Sequence, residues 1–142
     1  MTRVKHPNPL LYLCQLLRTE LNALADPRYA GVFVSNRKAP ADAGVWERSV
    51  ILRVDGDVRT SVISKELTLG VRVRAGQDIT DEQPAEDLAA TALAILEGAA
   101  GLQPGNPIAA HLESNGPYSV PGSGAQPEYY FTISFSRAGV PF

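Results

Sequence analysis

Residues able to do chemistry are few in this chain, and each set has a plainer structural reading beside it. His111 and Glu113 stand two apart, a spacing that places both on one side of a strand, where an imidazole and a carboxylate could share acid–base work. No serine occupies the sharp strand-to-helix turn of a hydrolase nucleophile, so a Ser-His-acid triad would have to assemble from distant segments. Asp78, Asp81, Glu82, Glu86 and Asp87 make an acidic group that could attract a divalent cation. Carboxylates ahead of a helix also complement its dipole while staying solvated, and that is the reading adopted. Asp55-Gly56-Asp57 lacks the further acids of a calcium loop and reads as a turn, and the glycines between Gly101 and Asn106 lack a following Lys-Ser/Thr pair and read as a helix stop. Two His and one Cys are too few soft ligands for a structural zinc site. The expectation is therefore no catalytic residue, no metal site and no cofactor.

The bulk properties point the same way. A length of 142 residues argues for one domain over residues 1–142, and 44% hydrophobic with 20% charged residues is ordinary globular usage. Thirteen Lys and Arg against fifteen Asp and Glu give a net charge of −2, without the basic surplus of a dedicated nucleic-acid binder. The apolar run from Leu10 to Leu17 is too short to span a membrane, and Arg18, Glu20 and Asn22 follow it where a signal peptide needs small residues. A lone cysteine forms no internal disulfide, and Cys14 falls on the apolar stripe of a helix, as a buried small hydrophobe would. A reducing cytoplasm is the expected surroundings of the free chain.

Such a chain acts through surfaces, which the secondary elements must position. Asn8-Pro9 opens a helix whose stripe is Leu10, Leu13, Cys14, Leu17, Leu21 and Leu24, widened by Leu11 and Leu16 and ended by Asp26-Pro27. Gly31 to Ser35 is a short β segment. Asn36 to Val45, containing Arg37-Lys38, is a long polar loop that Trp46 closes. Val50, Leu52 and Val54 alternate with Ser49, Ile51 and Arg53 up to a hairpin turn at Asp55-Gly56. After an irregularity at Ser64-Lys65, Leu67, Leu69, Val71, Val73 and Ala75 alternate with Thr68, Gly70, Arg72 and Arg74. That polar face must meet water, a partner or acidic side chains. Thr80 to Gln83 read as a capping box, starting a helix with Leu88, Ala92, Ile95, Leu96 and Ala99 inward and Gly98 and Gly101 at its end. Ile108 to Leu112 is a short strand, Asn115-Gly116-Pro117 a turn and Tyr118 to Val120 a brief pairing segment. In the last strand Tyr129, Phe131, Ile133 and Phe135 alternate with Tyr130, Thr132, Ser134 and Ser136. The class is α+β: a mainly antiparallel sheet of four or five strands with two helices packed on one face.

The series formed by the helix from Pro9, the segment Arg59-Thr60-Ser61-Val62, the strand Leu69 to Ala75, Asp87-Leu88-Ala89, Asn115-Gly116-Pro117-Tyr118 and Tyr129-Tyr130-Phe131-Thr132 resembles the tail terminator proteins of long-tailed (siphovirus-type) bacteriophages, over about residues 8 to 137. The resemblance rests on the order and character of segments, since that family has no catalytic signature. It implies a non-enzymatic virion protein, assembled in the host cytoplasm. Six copies would form a ring on the head-proximal end of the tail tube, stop tube growth and offer a surface for head joining. Its partners would be copies of itself, the major tail tube protein and the head–tail connector, with DNA passing through the ring without specific binding. A closed ring uses heterologous contacts. The residues expected at interfaces are Arg37, Lys38 and Trp46 in and beside the loop, and Thr68, Arg72 and Arg74 on the polar strand face. The alternatives are another neck protein of the same particle, or a small cytoplasmic enzyme or ligand-binding domain built on His111 or the loop acids.

Overall fold

The alternating and helical patterns fold as an α+β arrangement. The computed structural model describes residues 4–5, 9–36, 48–59, 64–76, 80–101, 106–121, 126–138 and 140–141. In chain order these form β1 (Val4–Lys5), α1 (Pro9–Ala23), a 3₁₀ turn (Pro27–Tyr29), β2 (Phe33–Ser35), β3 (Arg48–Arg59), β4 (Ser64–Ala75), α2 (Gln83–Glu97), β5 (Ile108–Val120), β6 (Glu128–Ala138) and β7 (Val140–Pro141). Five strands make the main sheet in the order β2-β3-β4-β6-β5, antiparallel except where β2 runs parallel to β3. Near the two ends of the chain, β1 and β7 pair antiparallel as a separate ribbon. The five strands match the expected sheet. The parallel β2 makes it mixed.

Both helices lie over one face. α2 packs on β4, β5 and β6, while α1 packs on α2, β2 and β3. Under them Leu67, Leu69, Val71 and Val73 of β4 and Phe131, Ile133 and Phe135 of β6 are essentially inaccessible, joined by Leu13 and Leu17 of α1 and Leu88 and Leu96 of α2. Ala85, Ala89 and Ala92 let α2 sit close to the strands. Cys14 is buried in this core, and burial raises its thiol pKa against the opposing charge of Arg18.

Four local expectations need correction. α1 ends at Ala23, before Asp26-Pro27: Ala25 adopts a left-handed φ of 52°, and Asp26 instead accepts the Arg28 amide to open the 3₁₀ turn. Leu24, past the helix end, and Leu11, a helical step of about 100° beyond Leu10, are consequently exposed rather than part of the stripe. No side-chain capping bond comes from Glu82, the N-cap of α2; its carboxylate accepts Ser119 Oγ and Tyr129 OH, while Asp81 accepts the Gln83 amide. Asp55-Gly56 is not the hairpin turn: β3 continues through it to Arg59, with a register shift between Val54 and Gly56, and residues 60–63 lie outside the described ones. Asn115-Gly116-Pro117 is likewise no turn but an irregularity inside one 13-residue strand. Gly116 is required there, with φ 105° and a Cβ that would fall 2.9 Å from the Tyr130 carbonyl oxygen.

Candidate interface on the open face of the sheet

Strand alternation that sends leucines under the helices sends a different set to the other side. The pairing register fixes their neighbours: Thr68 lies opposite Ser134, Arg72 opposite Tyr130 and Arg74 opposite Glu128, with Ile51 and Arg53 of β3 across from Arg72 and Gly70. On the outer flank Tyr118 and Val120 of β5 stand opposite Tyr130 and Glu128. The three expected residues Thr68, Arg72 and Arg74 are therefore on one surface. Arg37, Lys38 and Trp46, and all of the loop from Asn36 to Val45 but Asn36 itself, lie outside the described residues.

The chemistry of this face centres on Glu128, which is 1% exposed although it belongs to the uncovered side. Arg74 Nε donates to its Oε1 at 2.6 Å, a short charge-assisted bond. Arg72 Nη1 stands 3.7 Å from Oε2, too far for a hydrogen bond, and Oε2 is buried without a hydrogen-bond partner. Beside this cluster Arg53, Val54, Gly70, Arg72, Val120, Glu128 and Tyr130 line a groove of about 480 Å³. Gly70 contributes no side chain, which leaves room between Arg53 and Arg72. Two guanidinium groups, those of Arg53 and Arg72, against one carboxylate make the groove locally cationic on a chain of net charge −2. Further along, Thr68 Oγ1 and Ser134 Oγ share a hydrogen bond at 2.9 Å. Tyr118 is 57% exposed and Arg72 more than half exposed, so the rim offers an aromatic ring and a guanidinium, the side-chain types that dominate protein contacts.

Sequence reasoning missed Glu128. The signal was an acid two residues before Tyr130, on the polar side of the last strand; the possibility that Arg72 and Arg74 meet acidic side chains was open, but the register that selects Glu128 is a tertiary fact.

The His111 and Glu113 pairing does not form. A register shift between them turns Glu113 to accept from Asn115 Nδ2 at 3.1 Å, while His111 Nε2 lies 2.7 Å from Ser114 Oγ and 4.0 Å from Glu97 Oε2, on the helix side against Phe135. Ser114 Oγ also stands 3.2 Å from Glu97 Oε2, to which it can donate. Of the acidic group, Asp78 lies outside the described residues; Glu82 holds Ser119 and Tyr129, and Asp87 takes Gln83 Nε2 and stands 3.6 Å from Arg28. Among the described residues no three His, Cys, Asp or Glu side chains gather as a metal site, and no helix is long and apolar enough to cross a membrane. Comparison with known proteins finds no matching family model and no similar curated protein.

Proposed function

We propose that this chain is a structural subunit of a bacteriophage tail, a terminator-type protein that closes as a six-membered ring on the head-proximal end of the tail tube, ends tube polymerisation and presents a head-joining surface. In this reading it is not an enzyme: it acts by assembly, with copies of itself, the tube protein and the head–tail connector as partners, and DNA passes without base-specific contact. The observation that carries the reading is the unequal treatment of the two sheet faces. One is sealed by two helices; the other, among the described residues, is left open with arginines, tyrosines and a buried carboxylate oxygen that lacks a donor. A small domain gains from covering such a face with a neighbour, and in this reading the repeated heterologous contact has the rotation that closes a ring. The resemblance of the order of segments to that of tail terminators supports the choice of particle.

Electron microscopy of particles labelled on this chain, with native mass spectrometry of isolated tails, tests the proposal. Label at the head-proximal tail end and six copies per tail are expected. Label on the head side of the joint would transfer the chain to another neck component, and a lone copy without repeated neighbours would end the ring reading.

A further inference from the structure

The unsatisfied oxygen of Glu128 and the cationic groove beside it have a common explanation in a second copy of this chain. Three observations limit how that copy can approach. The outer edge of β5 is broken by register shifts at Ile108/Ala110, His111/Glu113 and Asn115/Tyr118, and Pro117 lacks an amide donor, so a continuous intermolecular ladder cannot form there. At the opposite edge β2 pairs with only three residues of β3, Ser49 to Ile51. The open face is where the unsatisfied acceptor lies, and its groove sets Arg53 and Arg72 against the single carboxylate of Glu128, which Arg74 also binds. Opposite charge lies on the other layer of the molecule, where Asp81, Glu82 and Glu86 are exposed around the first turn of α2.

We propose that the groove of one copy receives the acidic first turn of α2 from the next copy, with Glu86 of the incoming copy set between Arg53 and Arg72. This rests on the ring reading above and names its contact. The guanidinium of Arg72 has two donor edges. With water excluded by the incoming helix, one edge closes the 3.7 Å gap to Glu128 Oε2 and the other takes the incoming carboxylate, so the orphaned oxygen gains its donor only in the assembly. Arg74, already bound to Oε1, holds Glu128 in place for this. The contact is face to back, because groove and helix lie on opposite layers, and face-to-back contacts propagate around a ring.

A charge-exchange experiment tests it. Arg53→Glu and Glu86→Arg are chosen because Arg53 makes no ion pair among the described residues, so its reversal leaves the Arg74–Glu128 bond alone. Sedimentation of each single variant is expected to show self-association weakened on the order of tenfold or more, by like charges meeting across the contact. An equimolar mixture of the two single variants is expected to recover assembly as an alternating ring of even copy number, and the double variant to recover it alone. Circular dichroism checks the fold of each variant. Independently of charge, Arg53→Cys with Glu86→Cys, in a chain whose own Cys14 is buried, is expected to give an intermolecular disulfide ladder on oxidation. Wild-type protein that stays monomeric both in solution and on isolated tails overturns this contact and the ring together. Assembly unchanged by either reversal, or lost without recovery in the mixture and with no disulfide ladder, overturns the contact while the ring stands. Loss of single-stranded DNA binding by Arg53→Glu with unchanged assembly would assign the face to nucleic acid and overturn it as well.

Discussion

The two faces of the central sheet are built from the same strands yet obey different rules. On the covered face Leu69, Val71, Phe131 and Ile133 are 0% exposed, and what matters there is volume. Across the sheet, one step along the same strands, Arg74 with Glu128 and Thr68 with Ser134 are held by directed bonds, and what matters is donor and acceptor count. The covered face is complete within one chain. The open face keeps a buried acceptor, Glu128 Oε2, without a hydrogen-bond donor among the described residues.

Breaking the covered face has the largest effect. Phe131→Ala should lower unfolding free energy by about 3–5 kcal/mol in urea titration, because a closely packed site cannot collapse around the cavity. On the open face, Arg74→Ala should cost about 2–3 kcal/mol in the same titration, by stripping the buried Glu128 of its short bond while leaving it solvent only through the vacated groove. Gly116→Ala lies between the faces and should cost about 1–3 kcal/mol, from a positive φ together with the close approach to the Tyr130 carbonyl oxygen. Arg72→Ala sharpens the contrast: in the free chain it should cost less than about 1 kcal/mol, since the exposed guanidinium makes only a long contact, while assembly suffers far more. An equal loss for the Arg72 and Arg74 variants would contradict the division of labour assigned to them.

The smallest effect appears at high pH. Burial, followed by the charges of Glu82 and Glu86 and the bond to Glu82, raises the Tyr129 phenol pKa above its ordinary value. A raised phenol pKa means that the unfolded chain ionises first. The associated stability is fully present below the ordinary phenol range and is lost as pH climbs from there through the raised value. Tyr129→Phe should flatten that alkaline limb in pH-dependent denaturation, and an unchanged limb would assign the loss to other groups. The Asp26 carboxyl behaves oppositely: bonds from Arg28 hold its pKa low, so what it contributes is present at neutral pH and lost on acidification through that lowered value.

Much of the fold is legible in the residues because it follows from local periodicity. Leu67 to Ala75 and Tyr129 to Phe135 announce strands with one apolar side, and Leu10, Leu13, Cys14, Leu17 and Leu21 announce a helix with one stripe. The errors fell where one residue type serves two geometries. Asp-Gly and Asn-Gly-Pro favour tight turns, but they also suit irregularities within a strand, and the choice at Asp55-Gly56 and at Asn115 to Pro117 depends on how long the partner strand continues. Arg72 and Arg74 were recognisable as surface groups from alternation alone. Their partner was not, since Glu128 is 54 residues beyond Arg74 and reaches it only through the β4–β6 register.

The sequence by itself determined the class of the fold, the two helices, the apolar side of the sheet and the side on which Thr68, Arg72 and Arg74 emerge, because spacings of 2 and 3.6 residues dictate which way a side chain points. Tertiary structure alone decided that Glu128 is buried among arginines, that His111 meets Ser114 instead of pairing with Glu113, and that β5 is one irregular edge strand. Those outcomes depend on strand register, which is set by how β4, β5 and β6 align over their whole lengths, and a one-residue slip would exchange every inward side chain for an outward one.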